Sequence, residues 1–213
     1  FGAAGDFVTA PELGGLFARC IADATVPVLR ELGSDAVFLE LGGGSGAFAE
    51  HALRRFAACD ALPARYAILE PSADLRERQR ERLAAMLPAE LGARVEWIDA
   101  PPQAAWSGVL FANEVLDALP TSRFVLRGGE VMEECITLDD AGAFERCERP
   151  ADMLLSGALR HAERGLAETF RDGYRSEILP QLPFWIDAVA GVMERGAMLF
   201  VDYGYPRREY YSP

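Results

Sequence analysis

The chain has 213 residues, half of them apolar, enough to bury about 70 % of its unfolded surface in one large domain, alone or with an insertion. A net charge of −12 leaves no basic field for a phosphate backbone and argues against a nucleic-acid partner, while it suits a cationic substrate as well as it suits a merely solvated acidic surface. No run approaches the 18 or so apolar residues of a membrane span, so a soluble protein is expected, and all 21 basic residues are Arg, which removes lysine Schiff-base chemistry and the P-loop.

The four cysteines, Cys20, Cys59, Cys135 and Cys147, form no C-x-x-C, and His51 and His161 lie far apart. Neither a metal site nor a disulfide framework is expected, and the thiols read as reduced, in a cytosol-like compartment. The chain opens at Phe1 and closes in mid-pattern at Tyr210-Tyr211-Ser212-Pro213, so it reads as a segment of a longer protein.

Residues 1–33 begin with Gly5-Asp6-Phe7-Val8-Thr9-Ala10-Pro11-Glu12, where Thr9 and Glu12 have capping-box spacing and Pro11 suits a first turn. Leu13, Leu16, Phe17, Cys20, Ile21, Ala24, Val28 and Leu32 then recur at helical spacing, with Pro27 expected to kink the helix and Gly33 to end it. The opening residues are either a helix start or a lid over a ligand.

Ala36-Val37-Phe38-Leu39-Glu40-Leu41 is an apolar run that breaks into Gly42-Gly43-Gly44-Ser45-Gly46 and enters a helix over 47–58. Strand, tight loop and helix N-terminus together make a site for a ligand bearing negative charge or a carboxylate. The loop fits both a dinucleotide pattern, Gly42-x-Gly44-x-x-Ala47, and the S-adenosylmethionine (SAM) pattern Glu40-x-Gly42-x-Gly44-x-Gly46. Glu40 favours SAM, because a carboxylate there would crowd a pyrophosphate but attract the ammonium of a methionine moiety, directly or through water.

Tyr66 to Glu70 is the second strand, ending in an acid where a nucleotide-binding α/β unit places its ribose carboxylate; capping the next helix with Pro71-Ser72 is the other use for Glu70. A helix over 73–87 alternates Arg and Glu on a solvated face. Arg94 to Asp99 is a third strand, and Asp99 is placed either to accept from the adenine amino group or in a polar loop. Gly108 to Ala112 is a fourth, buried strand running into Asn113-Glu114-Val115-Leu116-Asp117-Ala118-Leu119-Pro120. Asn113, Glu114 and Asp117 are thereby aimed at substrate, unless Asn113 caps a helix and the acids stay on its surface. Short alternating runs from Ser122 to Arg149 predict an antiparallel meander. Residues 152–195 read as helical, broken near Gly173 and at Pro180 and Pro183, with Glu177 at the first break as a substrate contact. A fifth buried strand, 197–201, closes in Asp202-Tyr203-Gly204-Tyr205.

The sum is an α/β chain with a doubly wound sheet and its ligand above the carboxyl ends of the strands. The five motifs Gly5 to Glu12, Glu40 to Gly46, Glu70-Pro71-Ser72 with Leu75-Arg76 and Gln79, Asn113-Glu114 with Asp117 to Pro120, and Asp202-Tyr203-Gly204 resemble the MidA-type SAM-dependent methyltransferases from end to end. That family includes the mitochondrial assembly factor for respiratory complex I, a protein arginine methyltransferase.

The resemblance implies a class I methyltransferase, Rossmann-like, as one SAM-binding domain over 1–213, with an antiparallel insertion after the fourth strand and a helical segment before the fifth. Residues 1–33 would be the helical lid and 122–195 would shape the substrate pocket, with the antiparallel strand pair usual at the end of such sheets beyond Pro213. SAM would lie on Gly42, Gly44 and Gly46 with Glu40, with Glu70 at the ribose and Asn113 near the methionine end. The fourth-strand motif departs from the Asn-Pro-Pro-Tyr of enzymes that methylate adenine or glutamine. The resemblance implies a protein substrate methylated on arginine, in a bacterial cytoplasm or a mitochondrial matrix, while the charge and the apolar runs lead to the expectation of no nucleic acid and no membrane. A guanidinium must be oriented as it is methylated, and Glu114, Asp117 and Glu177 are the candidate carboxylates. A SAM-binding assembly factor with little turnover, a small-molecule methyltransferase and a dinucleotide oxidoreductase are the other readings.

Overall fold

The computed structural model of the chain describes residues 10–164, 166 and 168–212. Most of the expected lid motif, including the Thr9 cap, lies outside the described residues. The contacts divide the chain into two compact units, one running to Asp117 and taking in Ile186–Asp202, the other comprising Ala118–Trp185 and the residues from Tyr203 onward.

The first unit is built on a parallel sheet. A 3-10 turn at Ala10–Leu13 leads into α1, Gly15–Leu32, which continues through Pro27 without a break and ends at Gly33, whose N–H returns to the Leu29 carbonyl at 3.0 Å. Strand β1 is Val37–Leu41, helix α2 Ala47–Ala58, strand β2 Arg65–Leu69 and helix α3 Ala73–Met86, capped by the Ser72 hydroxyl. A single turn, α4 at Ala89–Gly92, precedes β3, Val95–Ile98, and β4 is Trp106–Asn113.

The last strand of this sheet, numbered β9 in chain order, covers Met193–Val201 and so begins four residues before the expected Ala197. Its added residues pair with the start of β4, where Gly196 lies opposite Gly108. A Cβ on Gly196 would stand 1.7 Å from the Gly108 carbonyl oxygen, and one on Gly108 would stand 1.8 Å from that of Val37. Glycine, weak in strands by propensity, is required here by the approach of three backbones.

The strand order is β3-β2-β1-β4-β9, all parallel. Phe38, Phe48, Phe56, Tyr66 and Phe111 form a fully buried aromatic cluster between the sheet and α2, with Phe48 and Phe111 stacked at 4.2 Å. Leu41, Leu69, Ile98 and Ala112 share one row across the sheet. The residues that follow them, Gly42, Glu70, Asp99 and Asn113, therefore emerge together at the carboxyl edge.

The second unit holds a four-stranded antiparallel sheet of order β7-β6-β5-β8, with β5 at Ser122–Arg127, β6 at Glu130–Leu138, β7 at Phe144–Pro150 and β8 at Arg175–Ile178. The meander is as the sequence suggests, and helix α5, Met153–Glu163, follows it. Residues 175–177, expected at a helix break, belong instead to β8. Gly173 at φ 80° and Pro180 leave too few residues between them for a stable helix, and the open edge of β5 satisfies this segment's backbone, with Arg123 opposite Glu177. Helix α6, Leu182–Ala190, and the short α7, Arg207–Tyr210, complete the chain. Phe124, Leu126 and Leu159 form the core of this unit, packed by Phe170, Tyr174 and Tyr211.

Candidate active site

The glycine loop turns because its backbone takes conformations that side chains resist. Gly42, Gly44 and Gly46 have φ of 66°, 53° and 81°. Gly42 donates to the Leu69 carbonyl at 3.0 Å, tying the loop to the neighbouring strand, and Gly46 caps α2. A Cβ on Gly43 would press on Ile68 at 2.9 Å, whereas one on Gly44 would meet nothing within 4 Å among the described residues. Gly44 is thus glycine for its backbone conformation and turns a bare face to open space.

Behind the loop stands Gln79 of α3, fully buried. Its amide donates to the Gly44 carbonyl at 2.8 Å and to Glu70 at 3.4 Å, and its oxygen accepts from the Trp97 indole at 2.8 Å. One side chain therefore fixes the loop, the ribose-position acid and β3. Sequence reasoning placed Gln79 in a motif without assigning it a role; a lone amide on the inner side of an otherwise charged helix was the signal available.

Glu70 is buried and accepts from the Ser72 N–H at 3.0 Å, while the Arg76 guanidinium bonds the Glu70 carbonyl. Both uses of Glu70 raised by the sequence are compatible, since the helix cap itself is the Ser72 hydroxyl, which accepts from Leu75. Arg76 also pairs with Asp99, whose side chain is largely exposed.

Glu40 is 3 % exposed and accepts from the Tyr66 hydroxyl at 2.7 Å. Burial pushes its pKa up to about 7; the Tyr66 hydrogen bond opposes this and the charge of Glu70 adds to it. The two acids are near enough to feel one another. The carboxyl of Glu40 is enclosed rather than standing free in an open mouth.

At the end of β4 the chain turns sharply. Asn113 is level with Val201, and Glu114 takes φ 51°, with its N–H donating to the Val201 carbonyl at 2.8 Å. Positive φ in a non-glycine residue stores strain. One carboxyl oxygen of Glu114 is buried with no hydrogen-bond partner among the described residues, a position that costs free energy unless a ligand supplies a donor. Asp202, just past β9, accepts from the N–H groups of Leu116 at 2.9 Å and Asp117 at 3.1 Å and so pins this turn. Asp117 itself is exposed.

The structure thus brings Glu40, the three glycines, Glu70, Asp99, Asn113, Glu114 and Asp117 to one edge of the first unit. Glu177 belongs to the second unit, where it accepts from Thr121 at 3.2 Å and Tyr210 at 3.1 Å. No cluster of His, Cys, Asp and Glu among the described residues has the form of a metal site.

Residues 20–213 match the family described as "Putative S-adenosyl-L-methionine-dependent methyltransferase". The chain belongs to this methyltransferase family. A COG1565 superfamily member from Burkholderia thailandensis, solved bound to S-adenosyl-homocysteine, is 37 % identical over 98 % of this chain with a TM-score of 0.85. A second COG1565 superfamily structure from the same organism is 38 % identical over 99 % of the chain, with a TM-score of 0.83. The chain spans about half the length of each, 52 % and 54 %. No curated protein matches it. Among the described residues, no helix is long and apolar enough to cross a membrane.

Proposed function

We propose that this methyltransferase chain binds SAM across the carboxyl ends of β1, β2 and β4 and methylates a nitrogen of a cationic acceptor, an arginine side chain of a protein. The observation that carries the reading is Glu114, strained and holding a buried oxygen without a partner among the described residues, one residue beyond the strand that ends beside the glycine loop. When bound, SAM supplies a methyl carbon on a sulfonium, open to in-line attack by a nucleophile.

The residues fit that ligand. Gly44 leaves space where any side chain would intrude, the N-terminus of α2 would receive the carboxylate of the methionine moiety, and Glu70 would accept from ribose hydroxyls. Two carboxyl groups, Glu40 and Glu70, favour an ammonium and a sulfonium over a pyrophosphate at this position. Glu114 accepts an N–H of the acceptor, orients its lone pair and polarises the nitrogen, which gives up a proton to solvent as the new C–N bond forms and the bond from the methyl carbon to sulfur breaks. Holding both reactants in a near-attack geometry supplies roughly 7–11 kcal/mol, so no covalent nucleophile is required of the protein.

The test is Glu114→Gln, with SAM binding followed by calorimetry and turnover by acceptor-dependent release of S-adenosylhomocysteine from labelled lysate. Retained binding with lost turnover supports the assignment. Equal loss of both would make Glu114 part of the cofactor site instead.

A further inference from the structure

Strand β7 is an edge of the antiparallel sheet, and every residue in it except Cys147 is exposed. Its hydrogen-bonding phase follows from two bonds that close the β6–β7 ladder, Ala151 N–H to the Val131 carbonyl at 3.0 Å and Asp139 N–H to the Ala143 carbonyl at 2.9 Å. With Cys135 opposite Cys147 in the register, Glu145, Cys147 and Arg149 turn their main-chain groups toward β6, and Phe144, Arg146 and Glu148 turn theirs outward. Pro150 falls on the outward phase, where its missing N–H costs the sheet nothing.

The sequence of this edge is Phe144-Glu145-Arg146-Cys147-Glu148-Arg149-Pro150. Laid antiparallel on itself about Cys147, it sets Arg146 opposite Glu148 of a second copy on one face and Glu145 opposite Arg149 on the other. Arg146 and Glu148 then exchange main-chain hydrogen bonds, and Phe144 donates to the Pro150 carbonyl. A slip of two residues either way puts Arg146 against Arg146 or Glu148 against Glu148, so like charges reject the neighbouring registers. Charges on an edge strand ordinarily keep other strands away; here their order admits one partner, the same strand.

We propose that β7 is a self-association edge through which two copies of this chain join their antiparallel sheets across a two-fold axis at Cys147. The state of each copy suits this. Glu145 and Arg146 make no ion pair among the described residues, whereas Glu148 already lies within a network of Arg127 at 2.6 Å and Arg175 at 3.1 Å, and Arg149 pairs with Glu133 at 2.8 Å. Each unpaired charge would meet an opposite charge that is already held in place. Beside the axis, Phe144 is 84 % exposed, with Leu138 opposite it and Ile136 on the same face, both more than half exposed, an apolar margin on the joining face.

In this register the two Cys147 residues occupy a non-hydrogen-bonded pair, with Cα atoms about 4.5 Å apart, inside the range of about 4.4–6.8 Å that a disulfide spans. Oxidised glutathione therefore serves as a probe. It takes up the two thiol hydrogens, leaves as two molecules of reduced glutathione, and joins the copies through one S–S bond.

Sedimentation of the intact protein should show a dimer that dissociates on dilution and at high salt. Arg146→Pro removes an outward N–H that β6 does not use; it should sediment as a monomer while unfolding at the wild-type midpoint and binding S-adenosylhomocysteine as before. Crosslinking should vanish in Cys147→Ser and persist in Cys135→Ser. A monomer at every concentration, a dimer that survives Arg146→Pro, or a crosslink that survives Cys147→Ser would overturn the proposal.

Discussion

Replacing Gln79 by Ala tests whether the candidate site depends on one buried amide. The side chain makes two hydrogen bonds of 2.8 Å, to the Gly44 carbonyl and from the Trp97 indole, and a long one of 3.4 Å to Glu70. A hydrogen bond contributes about 0.5–1.5 kcal/mol net, and a partner left buried and unpaired costs about 1–3 kcal/mol. Both 2.8 Å bonds are part-buried, so each orphaned partner bears part of that cost. Gln79→Ala should therefore destabilise by about 2–4 kcal/mol in denaturant unfolding followed by tryptophan fluorescence. The freed loop must then be ordered by the ligand; fixing one residue costs about 1–2 kcal/mol, so affinity for S-adenosylhomocysteine should fall roughly tenfold by calorimetry. Gln79→Glu keeps an acceptor for Trp97 but turns an oxygen toward the Gly44 carbonyl and Glu70, so it should harm binding more than stability. Wild-type stability within about 0.5 kcal/mol together with unchanged affinity in Gln79→Ala would refute the bracing role.

Gly44→Ala meets no atom of the described residues but holds φ at 53°; it should fold with a loss of about 1–2 kcal/mol yet lose most of its affinity for S-adenosylhomocysteine, and full affinity would show that the open face binds nothing. Asp202→Ala removes the acceptor of two N–H groups beside Glu114; steady-state kinetics should show kcat falling well before cofactor affinity, and a change confined to affinity would count against it. Glu40, with its pKa raised to about 7 from 4.5, holds its proton more tightly folded than unfolded. Its contribution is thus fully present below about pH 4.5 and is lost as pH rises through about 7, by about 3 kcal/mol in all. Glu40→Gln should flatten that slope in unfolding measured from pH 5 to 8, and an equal slope in both proteins would remove Glu40 as its source.

Local chemistry made part of this legible. Gly42 to Gly46 after an apolar run announces a strand, a bend and a helix start, because glycine alone reaches those backbone angles without strain. Asp or Glu at the end of buried strands, as at Glu70, has few uses other than a ligand or a helix start. Residues 175–177 misled because their own propensity is weak: they become a strand through the free edge of β5, which lies about fifty residues earlier in the chain.

By itself, then, the sequence determined that strands and helices alternate, that a glycine bend opens a helix, and which acids stand at strand ends, since these depend on period and on near neighbours. Only the tertiary structure decided that Leu41, Leu69, Ile98 and Ala112 fall in one row, that Gln79 braces the loop from behind, that Glu40 is enclosed against Tyr66, and that Glu114 holds a strained turn with an oxygen unpaired among the described residues. Those facts depend on strand order and register, which arise from packing between segments far apart in the chain and leave no mark on the spacing within any one of them.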